Sequence, residues 1–351
     1  MPDTAMQDIV QVARVTDPED LRTHLPGVIL QVTPLPPSRL EVSSVTLRMG
    51  DLVLQCGVTS PMILIASVGP GIVALQFSLH ADAAPVVNGR SIQENGFGLY
   101  TGGARVVRSS PVENRYAVLT MRQETATAQL DLPRPTVAGQ PSGEALLTGR
   151  AADWLRITRL MAAAAEVASH SPAIFATEAP RVALRASLLG AAHELLAGAE
   201  PRPEEHRPLT QNAWRRIVLG AESYLTTHLD RPIYTEELCS VLGVSAATMA
   251  EAFRATLGMS PHRYLKLRRL HMVRAVLQHH DGAPPLVKAV ALSHGFWHLG
   301  QFAHDYRALF GETPSETLAA VAGCAATETV EVAAVAMAPT APRVQRVAGT
   351  R

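Results

Sequence analysis

Cysteine is scarce in this sequence, with three residues among 351, and the three lie far apart. Cys56, Cys239 and Cys324 form no Cys-x-x-Cys pair, which favours a reducing cytoplasm over a disulfide scaffold. No uncharged apolar run reaches the roughly 18 residues that a membrane span requires. The N-terminal residues MPDTAMQDIV lack the basic-then-apolar order of a secretory signal. These absences predict a soluble, cytoplasmic protein with no membrane partner.

Net charge is also missing, because 31 basic side chains balance 31 acidic ones. The overall charge therefore identifies no partner. Residues 211–320 carry 11 basic and 9 acidic side chains, together with eight of the 13 histidines. This mild basic excess is only weak support for a nucleic-acid partner.

The motifs of common enzyme classes are absent as well. The sequence has no Gly-rich phosphate loop, no Gly-x-Ser-x-Gly nucleophile elbow and no His-Glu-x-x-His zinc signature. Metal-dependent β-barrel enzymes need clustered His and carboxylate ligands, and residues 28–145 contain a single histidine, His80. The run 279–281 (His-His-Asp) is interpreted as the polar end of a helix, with a metal site as the alternative. We therefore predict no catalytic residues, no cofactor and no metal.

Residues 28–145 contain short Val, Leu, Ile and Thr runs separated by turn residues. Asn88-Gly89, within VVNGRSI, is a strong signal for a tight hairpin turn. Several strands with little helix between them predict a β-rich barrel or cupin-like domain over residues 1–145, with a sandwich as the alternative. Such a domain can hold a small organic effector in an apolar pocket. The candidate polar lining residues, each individually more typical of a surface position, are Arg48, Gln76, Arg90, Tyr100 and Arg105.

The apolar period then changes from that of a strand to that of a helix. Two helices are predicted at about 150–168 and 178–197, and residues 146–198 are assigned to a helical dimerisation segment. The polar, Pro-rich residues 199–212 predict a linker. The apolar stripe of the first helix, which is the predicted self-association face, consists of Trp154, Leu155, Ile157, Leu160 and Met161.

A short motif occurs twice in the C-terminal third of the chain. FRATLGMSP at 253–261 is matched by YRALFGETP at 306–314, and seven positions agree at a constant offset of 53 residues. A repeat with such constant spacing predicts one structural unit that is used twice.

Each copy has the pattern of a helix-turn-helix unit, in which the second helix can enter the major groove. In the first copy, at about 235–257, Thr235 is expected to cap one helix and Ser245 the next, with Gly243 in the turn. The second copy lies at about 286–310. The two units are therefore expected to share one design.

Both copies end at a glycine that is followed by a Ser/Thr-Pro helix start. Ser260 and Thr313 place a capping hydroxyl before proline, and Thr313 with Glu316 completes a capping box. Between the copies, residues 261–278 predict one continuous helix about 27 Å long. A linker of that length can hold two recognition helices close to one DNA turn apart, about 34 Å.

These residues resemble the DNA-binding domain of the AraC/XylS transcription regulators. The resemblance covers about residues 215–318, through GVSAATMAEAFRATLGMSPHRYLKLRRLHMVRAVL and VALSHGFWHLGQFAHDYRALFGETPSE. It implies an α+β multidomain protein with a β-rich sensing domain, dimerisation helices and an all-α DNA-binding domain at 213–320. It also implies a sequence-specific regulator, an activator by analogy. The implied partners are double-stranded promoter DNA, RNA polymerase, a small-molecule effector and a second copy of the chain.

Carried over residue by residue, the resemblance assigns DNA contacts to the recognition helices and the linker helix. Base contacts read sequence through edges in the major groove, whereas phosphate contacts position the protein without specifying sequence. The candidate base contacts are Ala247, Ala250, Glu251, Leu299, Gly300, Gln301 and His304. The candidate phosphate contacts are Arg254, Arg268, Arg269, His298 and Arg307. Plain solvent-exposed surface is the alternative for the charged and histidine members, and Trp297 is expected to serve packing.

Two other functions remain open at this point. A DNA-repair alkyltransferase fused to such a module would need a cluster of reactive cysteines, and a β-barrel enzyme fused to it would need metal ligands. Residues 321–351 are simple in composition and contain no aromatic residue, which predicts a flexible tail, with a membrane-associating helix as the alternative.

Overall fold

The chain forms two compact units, residues 1–269 and 270–351, and each is described by itself. The predicted tail at 321–351, with its alternative as a membrane-associating helix, lies outside the residues that the structure describes. The computed structural model describes residues 9–18, 20–22, 24–36, 40–80, 84–132, 143–201, 208–228, 231–280 and 283–320.

The N-terminal part of the first unit consists mainly of antiparallel strands. Its Val, Ile and Thr side chains suit a pleated surface that is buried on at least one face. The strands in the described residues are β1 (Val10–Val15), β2 (Val28–Pro34), β3 (Val42–Met49), β4 (Leu52–Thr59), β5 (Met62–Val68), β6 (Ile72–His80), β7 (Val86–Val87), β8 (Arg90–Ser91), β9 (Gly96–Thr101), β10 (Arg105–Ser110), β11 (Asn114–Arg122), β12 (Glu144–Thr148) and β13 (Glu200–Pro201).

These strands form two sheets. The larger sheet has eight strands in the order β1-β3-β4-β11-β6-β9-β12-β13, and the smaller has five in the order β2-β5-β10-β7-β8. Over the described residues neither sheet closes on itself, because the outermost strands of each do not pair with one another. The α+β class is confirmed, but the expected barrel is in fact a pair of open sheets.

The hairpin signal at Asn88-Gly89 is confirmed. Val87 pairs with Arg90, so that Asn88 and Gly89 alone form the loop. Both have positive φ, 50° for Asn88 and 80° for Gly89, which is the conformation that a two-residue type I′ turn requires. The turn thus brings the short strands β7 and β8 to the edge of the five-stranded sheet.

Three helices accompany the sheets: α1 (Gln123–Leu130), α2 (Ala151–His170) and α3 (Glu178–Ala197). Helices α2 and α3 pack on one face of the eight-stranded sheet and close its main core. Ile157 and Met161 are fully buried in that core. Two members of the predicted self-association stripe therefore stabilise the chain's own fold, while Leu155 of the same helix remains 42% exposed.

The remaining helices belong to the C-terminal part of the chain. Among the described residues, no helix combines the length and the apolar composition that crossing a membrane requires. These helices are α4 (Pro208–Thr227), α5 (Thr235–Leu242), α6 (Ala246–Leu257), α7 (Pro261–Gln278), α8 (Val287–Ser293) and α9 (Leu299–Phe310).

Candidate nucleic-acid interface

Helices α5 and α6 form the first helix-turn-helix unit. Gly243 ends α5 with φ 64°, a left-handed conformation that glycine adopts without strain. Ser245 caps α6 by accepting a hydrogen bond from the Thr248 backbone N–H, as predicted. The predicted cap at Thr235 is wrong: Tyr234 holds the N-cap position, and its side chain makes no capping hydrogen bond. Acidic side chains in the first turn of α5 instead stabilise that end of the helix, because they lie at the positive end of the helix dipole.

Helices α8 and α9 form the second unit, with Gly295 at φ 76° in its turn. Helix α9 ends at Gly311, whose φ is 72° and whose N–H donates to the Arg307 carbonyl. The capping box is confirmed, because the Thr313 N–H donates to the Glu316 carboxylate at 2.6 Å and the Glu316 N–H donates to Thr313 Oγ1 at 3.2 Å. These hydrogen bonds lower the pKa of Glu316.

The repeated aromatic positions form the core of each unit. In the first, Phe253 and Tyr264 are fully buried, with ring centroids 5.7 Å apart. In the second, Tyr306 lies 5.7 Å from the Phe302 ring and 4.5 Å from the Phe310 ring. The shared aromatic residues of the repeat are therefore scaffold.

Most of the candidate base contacts lie on solvent-exposed positions. On α6, Ala247 and Glu251 are exposed and Ala250 is half-buried. On α9, three candidates are exposed and Leu299 is half-buried. The exposed candidates on α9 are Gly300, Gln301 and His304.

The Gln301 side chain already has an intramolecular partner. Its Nε2 donates to Asp305 Oδ1 at 3.0 Å, one turn further along α9. Because the pair is exposed and spans one turn of a helix, it is weak enough to open when a base edge offers a better partner. The hydrogen bond orients the amide along the surface of α9 in the free protein.

The candidate phosphate contacts divide into two groups. Arg254, His298 and Arg307 are exposed, and both arginines lie in the last turn of their helix. Arg268 and Arg269, in contrast, are half-buried on α7. This division separates side chains that can reach a phosphate directly from side chains that are engaged in the protein.

Both half-buried arginines have identifiable partners. Arg268 Nη2 lies 3.8 Å from the carboxylate of Glu222, which is 1% exposed. The Arg269 guanidinium lies over the Tyr234 ring, 5.4 Å from its centroid, and burial lowers its pKa. These contacts, which lie within the compact unit of residues 1–269, give both arginines a structural role that the sequence did not indicate.

Trp297 is the residue that sequence reasoning misplaced. It was expected to pack, yet it is 71% exposed, immediately before the His298 N-cap of α9. Neighbouring Phe296 is buried instead, and its ring centroid lies 5.0 Å from that of Phe302 in a tilted arrangement. The adjacent pair Phe-Trp gave no local signal for which ring faces inward.

The described residues contain no group of three or more His, Cys, Asp or Glu side chains arranged to hold a metal ion. The alternative metal site at 279–281 falls partly outside them, since Asp281 is not described. Burial raises the pKa of Cys56 to about 12, and burial likewise raises the pKa of Cys239. Neither thiol has the lowered pKa that a reactive cysteine needs.

The first helix-turn-helix unit packs directly on the five-stranded sheet. Ser109 Oγ, on β10, donates to the Leu257 carbonyl at the end of α6, at 3.1 Å. Gln31 Nε2, on β2, donates to Glu222 on α4 at 2.8 Å. The structure therefore joins the β-rich region and this unit within one compact body, across a boundary where the sequence predicts only a linker.

Comparison with known proteins agrees with this geometry. A family described as a helix-turn-helix domain matches residues 238–320. A probable thc operon regulatory protein of Rhodococcus erythropolis is 34% identical over 135 residues, which are 38% of this chain and 38% of that protein. A XylDLEGF operon transcriptional activator of Pseudomonas putida is 35% identical over 106 residues, 30% of this chain and 32% of that protein. The chain thus spans about a third of the length of these relatives.

Among solved structures, a probable AraC family transcriptional regulator from Rhodopseudomonas palustris CGA009 is 40% identical. The match covers 30% of this chain and 97% of that one, with a TM-score of 0.28. The double helix-turn-helix geometry and the curated relatives agree on one conclusion: the C-terminal part of the chain is a DNA-binding domain similar to those of AraC/XylS-type transcription regulators.

Proposed function

We propose that this protein activates transcription from a promoter that it binds through both helix-turn-helix units, under the control of a small molecule held in its β-rich region. One observation carries the proposal of control. One face of the five-stranded sheet lines part of a cavity, and its other face contacts the first helix-turn-helix unit. A change in the cavity therefore reaches the DNA-binding surface through a single sheet.

The alternation of side chains along β10 shows how the sheet serves both sides. Val106, Arg108 and Ser110 line the cavity. Ser109 donates to the end of α6, and Arg105 Nη1 donates to Ser223 Oγ on α4 at 3.1 Å. Successive side chains of a strand point to opposite faces, so a shift of this strand moves both sets together.

Strand β2 is used in the same way. Leu30 and Val32 line the cavity, while Gln31 between them donates to Glu222 on α4. Two separate strands thus connect the cavity to helices α4 and α6. An effector that binds one arrangement of this sheet better than another shifts the population of the DNA-binding form.

In the proposed complex the exposed side chains of α6 and α9 read the DNA. Gln301 pairs with an adenine, Glu251 accepts from a cytosine amino group, and Ala247 contacts a thymine methyl. Ala250, Leu299, Gly300 and His304 complete the base-facing surface. The phosphate contacts are made by Arg254, His298 and Arg307, because Arg268 and Arg269 already have partners in the protein.

Selection of DNA fragments from the source genome by the full-length protein tests this function. We expect a small set of fragments that share one motif, with two half-sites close to one helical turn apart. Ala247→Glu together with Gln301→Ala provides the comparison protein, because it should retain the fold and lose the motif. Fragments without a common motif would contradict sequence-specific binding.

We expect Arg307→Ala to weaken binding to all duplexes by a similar factor. The exposed guanidinium has no described ion pair, and loss of one phosphate contact should reduce the slope of log K against log salt by about 1. Titrations of a specific and a random duplex at several salt concentrations measure this. Arg115→Ala, at an exposed arginine on β11, is the control. An unchanged salt slope would remove Arg307 from the interface.

We expect Trp297→Ala to weaken DNA binding without destabilising the protein. Burying most of the indole would contribute about 1.5–3 kcal/mol, so the loss of affinity should be about tenfold or more. Since the side chain is 71% exposed in the free protein, the free energy of unfolding should change by less than about 0.5 kcal/mol. Fluorescence titration and thermal denaturation measure the two quantities. A fall in stability with unchanged affinity would restore the packing role.

The remaining parts of the proposal concern partners. We propose a homodimer that forms through the exposed apolar positions of α2 and α3, such as Leu155 and Val182, and contact with RNA polymerase at the promoter. The cytoplasm is the proposed location, and no catalytic step is part of the mechanism. Sedimentation at micromolar concentration, with Leu155→Glu as the comparison, tests the dimer.

A further inference from the structure

Helix α9 carries a hydrogen-bonded pair of polar side chains on its surface. Gln301 Nε2 donates to Asp305 Oδ1 at 3.0 Å, and the two residues lie one helical turn apart. Gln301 is exposed and Asp305 is half-buried, so the amide is the more accessible partner. Within the described part of the chain, the Gln301 side chain makes no other hydrogen bond. The pair therefore holds one end of the amide and leaves the rest of it open to solvent.

The first helix-turn-helix unit has no equivalent of this pair. At the repeat offset of 53 residues, Thr248 corresponds to Gln301, and its hydroxyl lies 2.9 Å from Ser245 Oγ in the cap of α6. Ala252 corresponds to Asp305 and is fully buried. The first unit therefore folds without a Gln-Asp pair, and the pair is not a requirement of the shared scaffold.

Aspartate is an unfavourable residue on a helix that approaches DNA. It carries the same sign of charge as the phosphates, so Asp305 weakens the attraction between α9 and a duplex. Arg307, an exposed cation on the same helix, acts in the opposite direction. A residue that lowers affinity can still raise the preference for one base, because specificity is a difference between two affinities.

The hydrogen bond fixes which end of the Gln301 amide is held by the protein. A glutamine amide has two N–H donors and one carbonyl oxygen, whereas a carboxylate only accepts. Asp305 therefore takes one N–H and repels Oε1, which keeps the amide from turning over. The pair can open, but reading a base does not require it to, since the second N–H and Oε1 remain available. Adenine matches these two groups, because it presents N7 as an acceptor and N6–H as a donor.

We infer that Asp305 is a positioning residue for base recognition, which holds the Gln301 amide in the orientation that binds adenine and rejects guanine. The inference rests on the proposed function, because it places Gln301 in the major groove. Guanine presents two acceptors, N7 and O6, so a fixed Oε1 would face an acceptor and repel it. Without Asp305 the amide can turn over and donate to O6, and the preference for adenine over guanine falls.

Selection from a library of random duplexes tests the inference on the full-length protein. The duplexes are long enough for two successive major-groove segments. Wild type, Gln301→Ala, Asp305→Ala and the double variant each select, and the frequency of every base is counted at every position. We expect the wild type to prefer adenine at one position that Gln301→Ala makes indifferent. At that position, Asp305→Ala should lower the ratio of adenine to guanine by at least about threefold.

Two comparisons separate positioning from other roles of the carboxylate. The double variant should have the same base preference as Gln301→Ala, because Asp305 acts only through the amide. Asp305→Glu keeps a carboxylate one turn from Gln301, so it should recover most of the adenine preference. A lower melting temperature of Asp305→Ala with an unchanged base ratio would give the aspartate a structural role and overturn the inference.

Two further results would also contradict positioning. If Asp305 reads a base itself, Asp305→Ala would change a preference for cytosine at another position, even in the Gln301→Ala background. If only its charge matters, Asp305→Ala would bind all duplexes more tightly with the adenine-to-guanine ratio unchanged. A wild type without base preference at any position would overturn the proposed function as well, so the two failures are distinguishable.

Discussion

Tyr306→Ala should cost about 3–5 kcal/mol of stability in the second helix-turn-helix unit and should remove its contribution to DNA binding. Tyr306 is fully buried, its ring contacts two other aromatic rings, and its hydroxyl lies 3.0 Å from Thr317 Oγ1. Truncation to alanine leaves a cavity, because the surrounding side chains can relax only partly into the space that the ring occupied. Denaturation followed by circular dichroism, together with DNA affinity, measures the effect.

Two comparison proteins make this result specific. Tyr306→Phe keeps the ring and loses only the hydroxyl contact, so it should cost about 1 kcal/mol and retain DNA binding. Phe253→Ala, at the corresponding position of the first unit, should have a cost similar to that of Tyr306→Ala, since Phe253 is also fully buried. A change below about 1 kcal/mol for Tyr306→Ala would show that the shared aromatic residues are not the scaffold.

Arg268→Ala should lower the free energy of unfolding of the compact unit 1–269 by about 3 kcal/mol or more, because it leaves the Glu222 carboxylate buried without its cation. Glu222 is 1% exposed, lies 3.8 Å from Arg268 and accepts a hydrogen bond from Gln31 at 2.8 Å. Tyr264 also hydrogen-bonds to Glu222, and burial is the main cause that raises the pKa of that tyrosine. Urea denaturation of the full-length protein measures the loss.

The double substitution Glu222→Gln with Arg268→Met is the matched control. It removes both charges at once, so most of the stability should return. Unchanged stability of Arg268→Ala, combined with a flatter salt dependence of DNA binding, would return Arg268 to the phosphate contacts that the family resemblance implies. The experiment thus decides between a role in DNA binding and a role at the junction of the β-rich region with α4.

Local chemistry made several parts of the fold predictable. The Asn88-Gly89 turn, the Ser245 cap and the capping box of Thr313 with Glu316 depend on residues close together in the chain. Their energies come from backbone conformation and short-range hydrogen bonds, which the sequence carries directly. The Thr235 cap failed because the helix begins one position earlier than the cap required: Thr235 is its first residue and Tyr234 holds the N-cap position.

The candidate site was predictable only in part. Helical periodicity placed Gln301 and Arg307 on the outward face of α9, where the structure has them exposed. The same reasoning could not distinguish Arg268 from Arg307, since both are arginines on amphipathic helices. Their environments differ because Glu222, more than forty positions before Arg268, is folded against one and not the other.

The order of residues along the chain was sufficient to predict the double helix-turn-helix design and the mixed α and β composition, because these follow from periodicity, turn chemistry and spacing. Whether a side chain is buried beside a charge depends on residues brought together from distant positions. Arg108, Ser109 and Trp297 carry no local signal for a cavity cation, a sheet-to-helix contact and an exposed indole. Only the packing of distant segments decides which of these side chains are buried and which stay exposed, since burial and electrostatics depend on distance in space.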